Sequence, residues 1–146
     1  MLIAVIGEHC AGKSTLAEKL RQEFGARVVS GRDYLRLAKS ESEAEGLFRK
    51  QLRDAVSGEN LIYVIAEPGQ IQLLPDGAVR ILVTADLETI RERFRARLHG
   101  NLPAPVAQML ERNHGMFDTL PCAYRFDGVC GDADALCRAL RGDTDA

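Results

Sequence analysis

The residues best placed to do chemistry begin at Gly7, where the chain reads Gly7-Glu8-His9-Cys10-Ala11-Gly12-Lys13-Ser14-Thr15. Two glycines with four residues between them, then a lysine and two hydroxyls, let the backbone fold tightly enough for successive N–H groups to face one set of phosphate oxygens. Lys13 would reach the β- and γ-phosphates of a nucleoside triphosphate, and the Ser14 hydroxyl would coordinate Mg²⁺. The whole loop, residues 7–15, is therefore a candidate nucleotide-binding segment, with ATP and Mg²⁺ as its ligands. Glu8, His9, Cys10 and Ala11 fill the unconstrained positions, so their backbone matters to this reading and their side chains receive no chemical role.

Such a loop works only between a buried strand and the start of a helix, which adds unpaired N–H groups and the positive end of its dipole. Both flanks are present. Leu2-Ile3-Ala4-Val5-Ile6 is a continuous apolar run, and Lys13 opens a helical pattern reaching residue 24. Further apolar runs at 27–30, 61–66, 79–84 and 123–126 alternate with helical stretches at 33–40, 43–57, 87–99, 104–117 and 133–140. That alternation predicts a three-layer α/β/α fold around a five-stranded parallel sheet. Ser42 with Glu45 reads as a capping box, and Asp86 as the cap of a helix whose apolar stripe is Leu87, Ile90, Phe94 and Leu98. Gly100 to Pro105 reads as a mobile loop.

The bulk properties bound the possibilities. A chain of 146 residues suits one domain over its whole length, and 46% hydrophobic with 27% charged residues is ordinary for a soluble globular protein. A net charge of −2 provides no global field for nucleic acid or an acidic membrane, so neither is expected as a partner. The expected partner is a small-molecule substrate. Cys10, Cys122, Cys130 and Cys137 form no Cys-x-x-Cys pair, which argues against zinc and for reduced thiols in a cytoplasmic protein. The apolar N-terminal run has no basic flank and is too short to span a membrane or act as a signal peptide.

Helical geometry sorts a row of arginines at alternate positions, Arg91, Arg93, Arg95 and Arg97. At about 100° per residue, Arg91 and Arg95 fall on one side of the apolar stripe beside Glu88 and Glu92. Arg93 and Arg97 fall on the other side, with no acidic neighbour at i±3 or i±4. Their charge is left for something outside the helix, and a phosphate chain is one candidate. Glu67 stands at the end of the third strand, as a solvated carboxylate or a group for the Mg²⁺ hydration shell.

Small kinases fit the length, and the GTP-switch patterns Asn-Lys-x-Asp and Asp-x-x-Gly do not occur. The chain resembles the nucleoside monophosphate kinases, the adenylate and cytidylate kinases and their small P-loop relatives. Val29-Ser30-Gly31-Arg32-Asp33-Tyr34-Leu35-Arg36 is similar to the family stretch after the second strand. The resemblance implies that Arg36 holds an acceptor's phosphate, and that Asp33 orients the acceptor or the Mg²⁺ waters, or serves as base for a hydroxyl. It also implies a short lid at residues 98–105, that Arg93 packs on the nucleotide base, that Arg97 touches phosphates, and that Arg112 is a further lid arginine. Lys13, Arg93, Arg97 and Arg112 would then be the catalytic clamps, with Asp33, Arg36 and Glu67 binding substrate and Ser14 and Glu67 serving the metal.

One segment departs from the family. Pro68-Gly69-Gln70 stands where these kinases carry a phosphate-binding arginine, and no arginine follows until Arg80. The resemblance implies transfer of the γ-phosphoryl of ATP to a nucleoside monophosphate or similar phosphorylated acceptor. A hydroxyl kinase of the shikimate or gluconate type, and a regulatory module with slow ATPase activity, are the alternatives.

Overall fold

A computed structural model describes residues 1–145. Five strands form one wholly parallel sheet: β1 Leu2–Ile6, β2 Arg27–Ser30, β3 Leu61–Ile65, β4 Val79–Thr84 and β5 Tyr124–Asp127, in the spatial order β2-β3-β1-β4-β5. β1 is central, with Ile6 in register with Ile65 of β3 on one side and Leu82 of β4 on the other. Every residue of β1 and β3 is buried, as strands covered on both faces require.

The period-2 alternation of β1 divides the core. Leu2, Ala4 and Ile6 pack with Phe48 and Leu52 of α2, Glu41–Val56, while Ile3 and Val5 pack with Leu16 and Leu20 of α1, Lys13–Phe24. Leu136 and Leu140 of α6, Ala133–Asp145, complete the second side. Three elements close the architecture: α3, Pro68–Ile71; α4, Leu87–Arg97; and α5, Ala104–Asn113. Residues 98–103 join α4 to α5, the segment where a short lid was expected. No helix among the described residues is long and apolar enough to cross a membrane.

Several local expectations are corrected. The stretch at 33–40 is a 3₁₀ helix, Asp33–Leu37, and the next helix is capped by Ser40, whose hydroxyl accepts from Glu43 N at 3.1 Å, not by Ser42. The cap at Asp86 forms as expected, its carboxylate accepting from Thr89 N at 3.1 Å and Thr89 Oγ1 at 2.6 Å. The α4 stripe stops early: Ile90 is buried, but Leu98 is 38% exposed because the helix ends before it. The helix at 104–117 ends at Asn113, and Phe117 beyond it joins the core cluster that holds Phe48 and Leu52. Pro68–Ile71 was not expected to be helical; proline supplies its first turn without a wasted N–H.

Candidate active site

The loop after β1 has the geometry that its glycines foretell. Gly12 adopts φ 109°, and Cys10 joins it at positive φ, 63°. A β-carbon on Gly7 would stand 2.6 Å from Val83 O, so the loop lies hard against β4. Lys13 is the first residue of α1, 8% exposed, and its ammonium donates to Glu8 O at 2.5 Å. Burial lowers its pKa to about 8, with the nearby Arg97 charge adding to the shift. Burial, followed by the Lys13 charge, also lowers the pKa of His9.

A cleft of about 770 Å³ opens over this loop. His9, Cys10, Gly12, Lys13, Ser14 and Thr15 line its floor, Ser30 to Asp33 one end, and Arg93 and Arg97 of α4 its side. The arginine pair separated by helical arithmetic thus faces the cleft. Arg91 instead pairs with Glu88 at 4.0 Å and with Glu111 of α5 at 3.4 Å. Arg95 is exposed, with no ion pair among the described residues.

The two cleft arginines differ in state. The Arg93 guanidinium donates to Cys10 O at 3.0 Å and Gly128 O at 2.9 Å, tying the phosphate loop to the turn after β5. Arg97 is exposed and has no hydrogen bond or ion pair among the described residues. Arg93 is therefore a brace whose charge lies beside the loop, and Arg97 an uncommitted cation. Arg93→Ala should lower unfolding stability by about 1–3 kcal/mol, because two carbonyls lose a charged donor, and should also weaken ATP binding. Arg97→Ala should leave the melting temperature unchanged and reduce turnover by about 100-fold. Thermal melts and steady-state ADP release for both, with Arg91→Ala as the near-neutral reference, check this division.

The phosphate loop has a second tether that local spacing did not reveal. The Glu8 carboxylate contacts His114 Nδ1 at 3.0 Å and accepts from Gly115 N at 3.1 Å, anchoring the loop to the segment after α5. The turn after β5 is equally determined. Asp127 accepts from Val129 N at 2.8 Å and Cys130 N at 3.1 Å, and these bonds hold its pKa below the usual carboxylate value. Gly128 N donates to Thr84 O at 2.6 Å.

At the other end of the cleft, Tyr34 stacks on Phe48 with centroids 4.9 Å apart, and Phe48 meets Tyr63 edge-on at 4.9 Å. The Tyr63 hydroxyl donates to Gly31 O at 2.7 Å, and its burial raises the phenol's pKa. These contacts fix the backbone around Asp33, whose carboxylate lines the cleft with no hydrogen bond or ion pair among the described residues. Arg32 lines the cleft too, paired with Glu41 at 3.1 Å.

Not every expected residue gathers here. Arg36 is exposed and outside the lining, one 3₁₀ turn beyond Asp33, and Arg112 is exposed on α5 and likewise outside it. Glu67 lines a smaller neighbouring cavity of about 310 Å³, which shares Arg32 with the cleft. Ser14 is exposed on the cleft floor. No group of three or more His, Cys, Asp or Glu among the described residues forms a metal cage, and the four cysteines are free. A hydroxyl and a nearby carboxylate are nonetheless the oxygen donors that suit Mg²⁺, which takes most of its other ligands from phosphate and water.

The parallel sheet, its two helical layers and this loop define a P-loop nucleoside-triphosphatase fold of the kinase type. The chain is similar in structure to shikimate kinase from Bacteroides thetaiotaomicron, with TM-score 0.64 at 14% identity, over 100% of this chain and 99% of that one. It is similar to a deoxyadenosine kinase from M. mycoides with bound dATP, TM-score 0.58 at 15% identity, over 100% of both chains. A gluconokinase from Sinorhizobium meliloti 1021 gives TM-score 0.59 at 15% identity, over 97% of this chain and 90% of that one. No family model and no curated protein matches the chain.

Proposed function

We propose that this protein is an ATP- and Mg²⁺-dependent kinase that transfers the γ-phosphoryl group to a hydroxyl of a small acceptor. The observation that carries this reading is Asp33, an unpartnered carboxylate lining the same cleft as Lys13 and Arg97. Lys13 exchanges the Glu8 carbonyl for the β- and γ-phosphate oxygens, and the amides of residues 7–15 hold the rest of the chain of phosphates. Arg97 closes on the transferring group, whose charge is spread over its equatorial oxygens. Mg²⁺ would be held by the Ser14 hydroxyl, with phosphate and water oxygens as its other ligands, and would supply charge that neutralises the phosphates.

Asp33 orients the acceptor hydroxyl and takes its proton as the new O–P bond forms. The bond from the γ-phosphorus to the β,γ-bridging oxygen breaks, ADP leaves, and the proton passes from Asp33 to water. Asp33→Asn keeps a hydrogen-bond acceptor but cannot take the proton, so kcat should fall about 100-fold or more with the KM for ATP little changed. A variant with unaltered kcat would remove Asp33 from this role.

The fold neighbours include proteins named as a shikimate kinase and a gluconokinase, which supports the same reading. A nucleoside monophosphate acceptor is the second reading, and Arg32 is the observation in its favour. Arg32 would have to leave Glu41 to hold a phosphate, a role expected of Arg36 from sequence. If a monophosphate is the acceptor, Arg32→Ala raises its KM sharply while Arg36→Ala does little.

A further inference from the structure

Gln70 stands in the segment where an arginine was expected, and the hydroxyl-kinase reading leaves it without a role. It is 7% exposed, a rare burial for an amide side chain. Its Oε1 accepts from Ala66 N at 3.3 Å and Glu67 N at 3.4 Å. Those two donors fix the amide's orientation, because a flipped Nε2 would face N–H groups.

The Nε2 that remains has no hydrogen-bond partner among the described residues, yet no buried polar atom is left unsatisfied, so it reaches open space. That space is the small cavity beside the cleft. Nε2 lies 3.7 Å from where a β-carbon on Gly31 would stand, and Gly31 lines the cleft itself. Gln70 thus holds out a neutral donor, fixed from behind by backbone, at the Asp33 end of the site.

The charges around it restrict what it can meet. Arg32 is held by Glu41 at 3.1 Å, and Arg49 by Glu45 at 2.8 Å and by Gln72 O at 2.9 Å. Asp33 lines the cleft and Glu67 the small cavity, neither with a cationic partner among the described residues. A phosphate or carboxylate entering the small cavity would meet the unmatched Glu67 carboxylate and two guanidiniums already paired, because the free Arg97 stands at the side of the cleft with the phosphate loop. A hydroxyl or ether oxygen would meet the Gln70 N–H.

We infer that Gln70 is an acceptor-binding residue whose amide N–H donates to an uncharged oxygen, selecting a neutral polyhydroxylated acceptor over a phosphorylated one. This assignment rests on the hydroxyl-kinase reading and names the substrate class for it. Arginine at this place would reach an anion through two parallel bonds; glutamine offers one neutral donor and rejects the added charge.

The test measures ADP release from ATP and Mg²⁺ with a panel of neutral sugars and polyols, their phosphate esters and nucleoside monophosphates. A neutral compound should stimulate most. Gln70→Glu keeps an oxygen for Ala66 N and Glu67 N but removes the donor, and Gln70→Met removes the donor without adding charge. Both should raise the KM of that compound roughly tenfold, with kcat and the KM for ATP changed little. Unchanged acceptor KM in both variants, with melting temperatures near wild type, overturns the role of Gln70 and leaves the kinase reading standing. A phosphorylated compound as best acceptor overturns the substrate class. No stimulation by any compound overturns the kinase reading, and this assignment with it.

Discussion

Lys13→Met is expected to resist unfolding better than the wild type at neutral pH while losing turnover. The wild-type ammonium is buried against the phosphate loop, and its pKa falls from 10.5 to about 8. Between those two values the unfolded chain binds more protons than the folded one, so wild-type stability rises with pH across that window. Below pH 8 the full cost of a buried cation is present, at most about 3 kcal/mol from the separation of the two pKa values. Methionine removes that cost and forfeits a charge-assisted hydrogen bond to Glu8 O, worth about 1.5–3 kcal/mol, so the net gain at pH 7 is at most about 1.5 kcal/mol. Denaturant titrations of both proteins should show the advantage at pH 7 shrinking toward pH 10.5; a variant less stable than wild type at pH 7 contradicts the account. Turnover should drop by about 1,000-fold, because the charge is needed only when phosphate oxygens arrive. The same pKa predicts that ATP affinity in the wild type falls about tenfold from pH 7 to pH 9, as Lys13 gives up its proton.

The second large effect comes from Gly128→Ala. Here the backbone angle is not the obstacle; the space is. A β-carbon on Gly128 would stand 1.7 Å from Ala11 O, inside the phosphate loop, and 3.0 Å from Thr84 O. Neither atom is the end of a flexible side chain, so a loop must move, and Arg93 binds both loops through Cys10 O and Gly128 O. The displaced amides then no longer converge on phosphate. A loss of about 3 kcal/mol or more in stability and a fall of more than tenfold in ATP affinity are expected. Gly46→Ala is the control: in α2, with nothing within 4 Å of the added carbon, it should stabilise by up to about 1 kcal/mol. Equal melting temperatures for the two variants would show that the loops are not in contact in solution.

Much of this is legible in the sequence because it is written locally. Leu61-Ile-Tyr-Val-Ile65 reads as a buried strand since every residue of it is apolar or aromatic, and Gly7, Gly12 and Lys13 carry their purpose in their spacing. The assignment of Arg93 and Arg97 to one face followed from 3.6 residues per turn alone. What stayed hidden depends on residues far apart in the chain. The bond from Glu8 to His114 spans 106 positions, and Arg93 to Cys10 spans 83. Nothing near Arg93 in sequence says that its charge is committed to two carbonyls.

The acceptor end differs from expectation in which arginine lines the cleft, and for a different reason. A 3₁₀ helix rises about 2.0 Å per residue, so Arg36 lies about 6 Å further along than Asp33 and outside the cleft, while Arg32 lines it. In the segment after β3, the missing arginine was visible, but the Gln70 amide fixed by Ala66 N and Glu67 N was not. A capping side chain three residues into a four-residue helix leaves little periodic signal.

The most direct measurement follows the γ-phosphoryl group itself. ATP radiolabelled at its γ-phosphorus is incubated with Mg²⁺, a neutral polyhydroxylated acceptor and either wild-type protein or Asp33→Asn, and the products are separated. The account predicts label in a phosphomonoester of the acceptor with wild type, and almost none with Asp33→Asn. Label found only in inorganic phosphate, or in a nucleoside diphosphate when a monophosphate competes with the neutral compound, would contradict it.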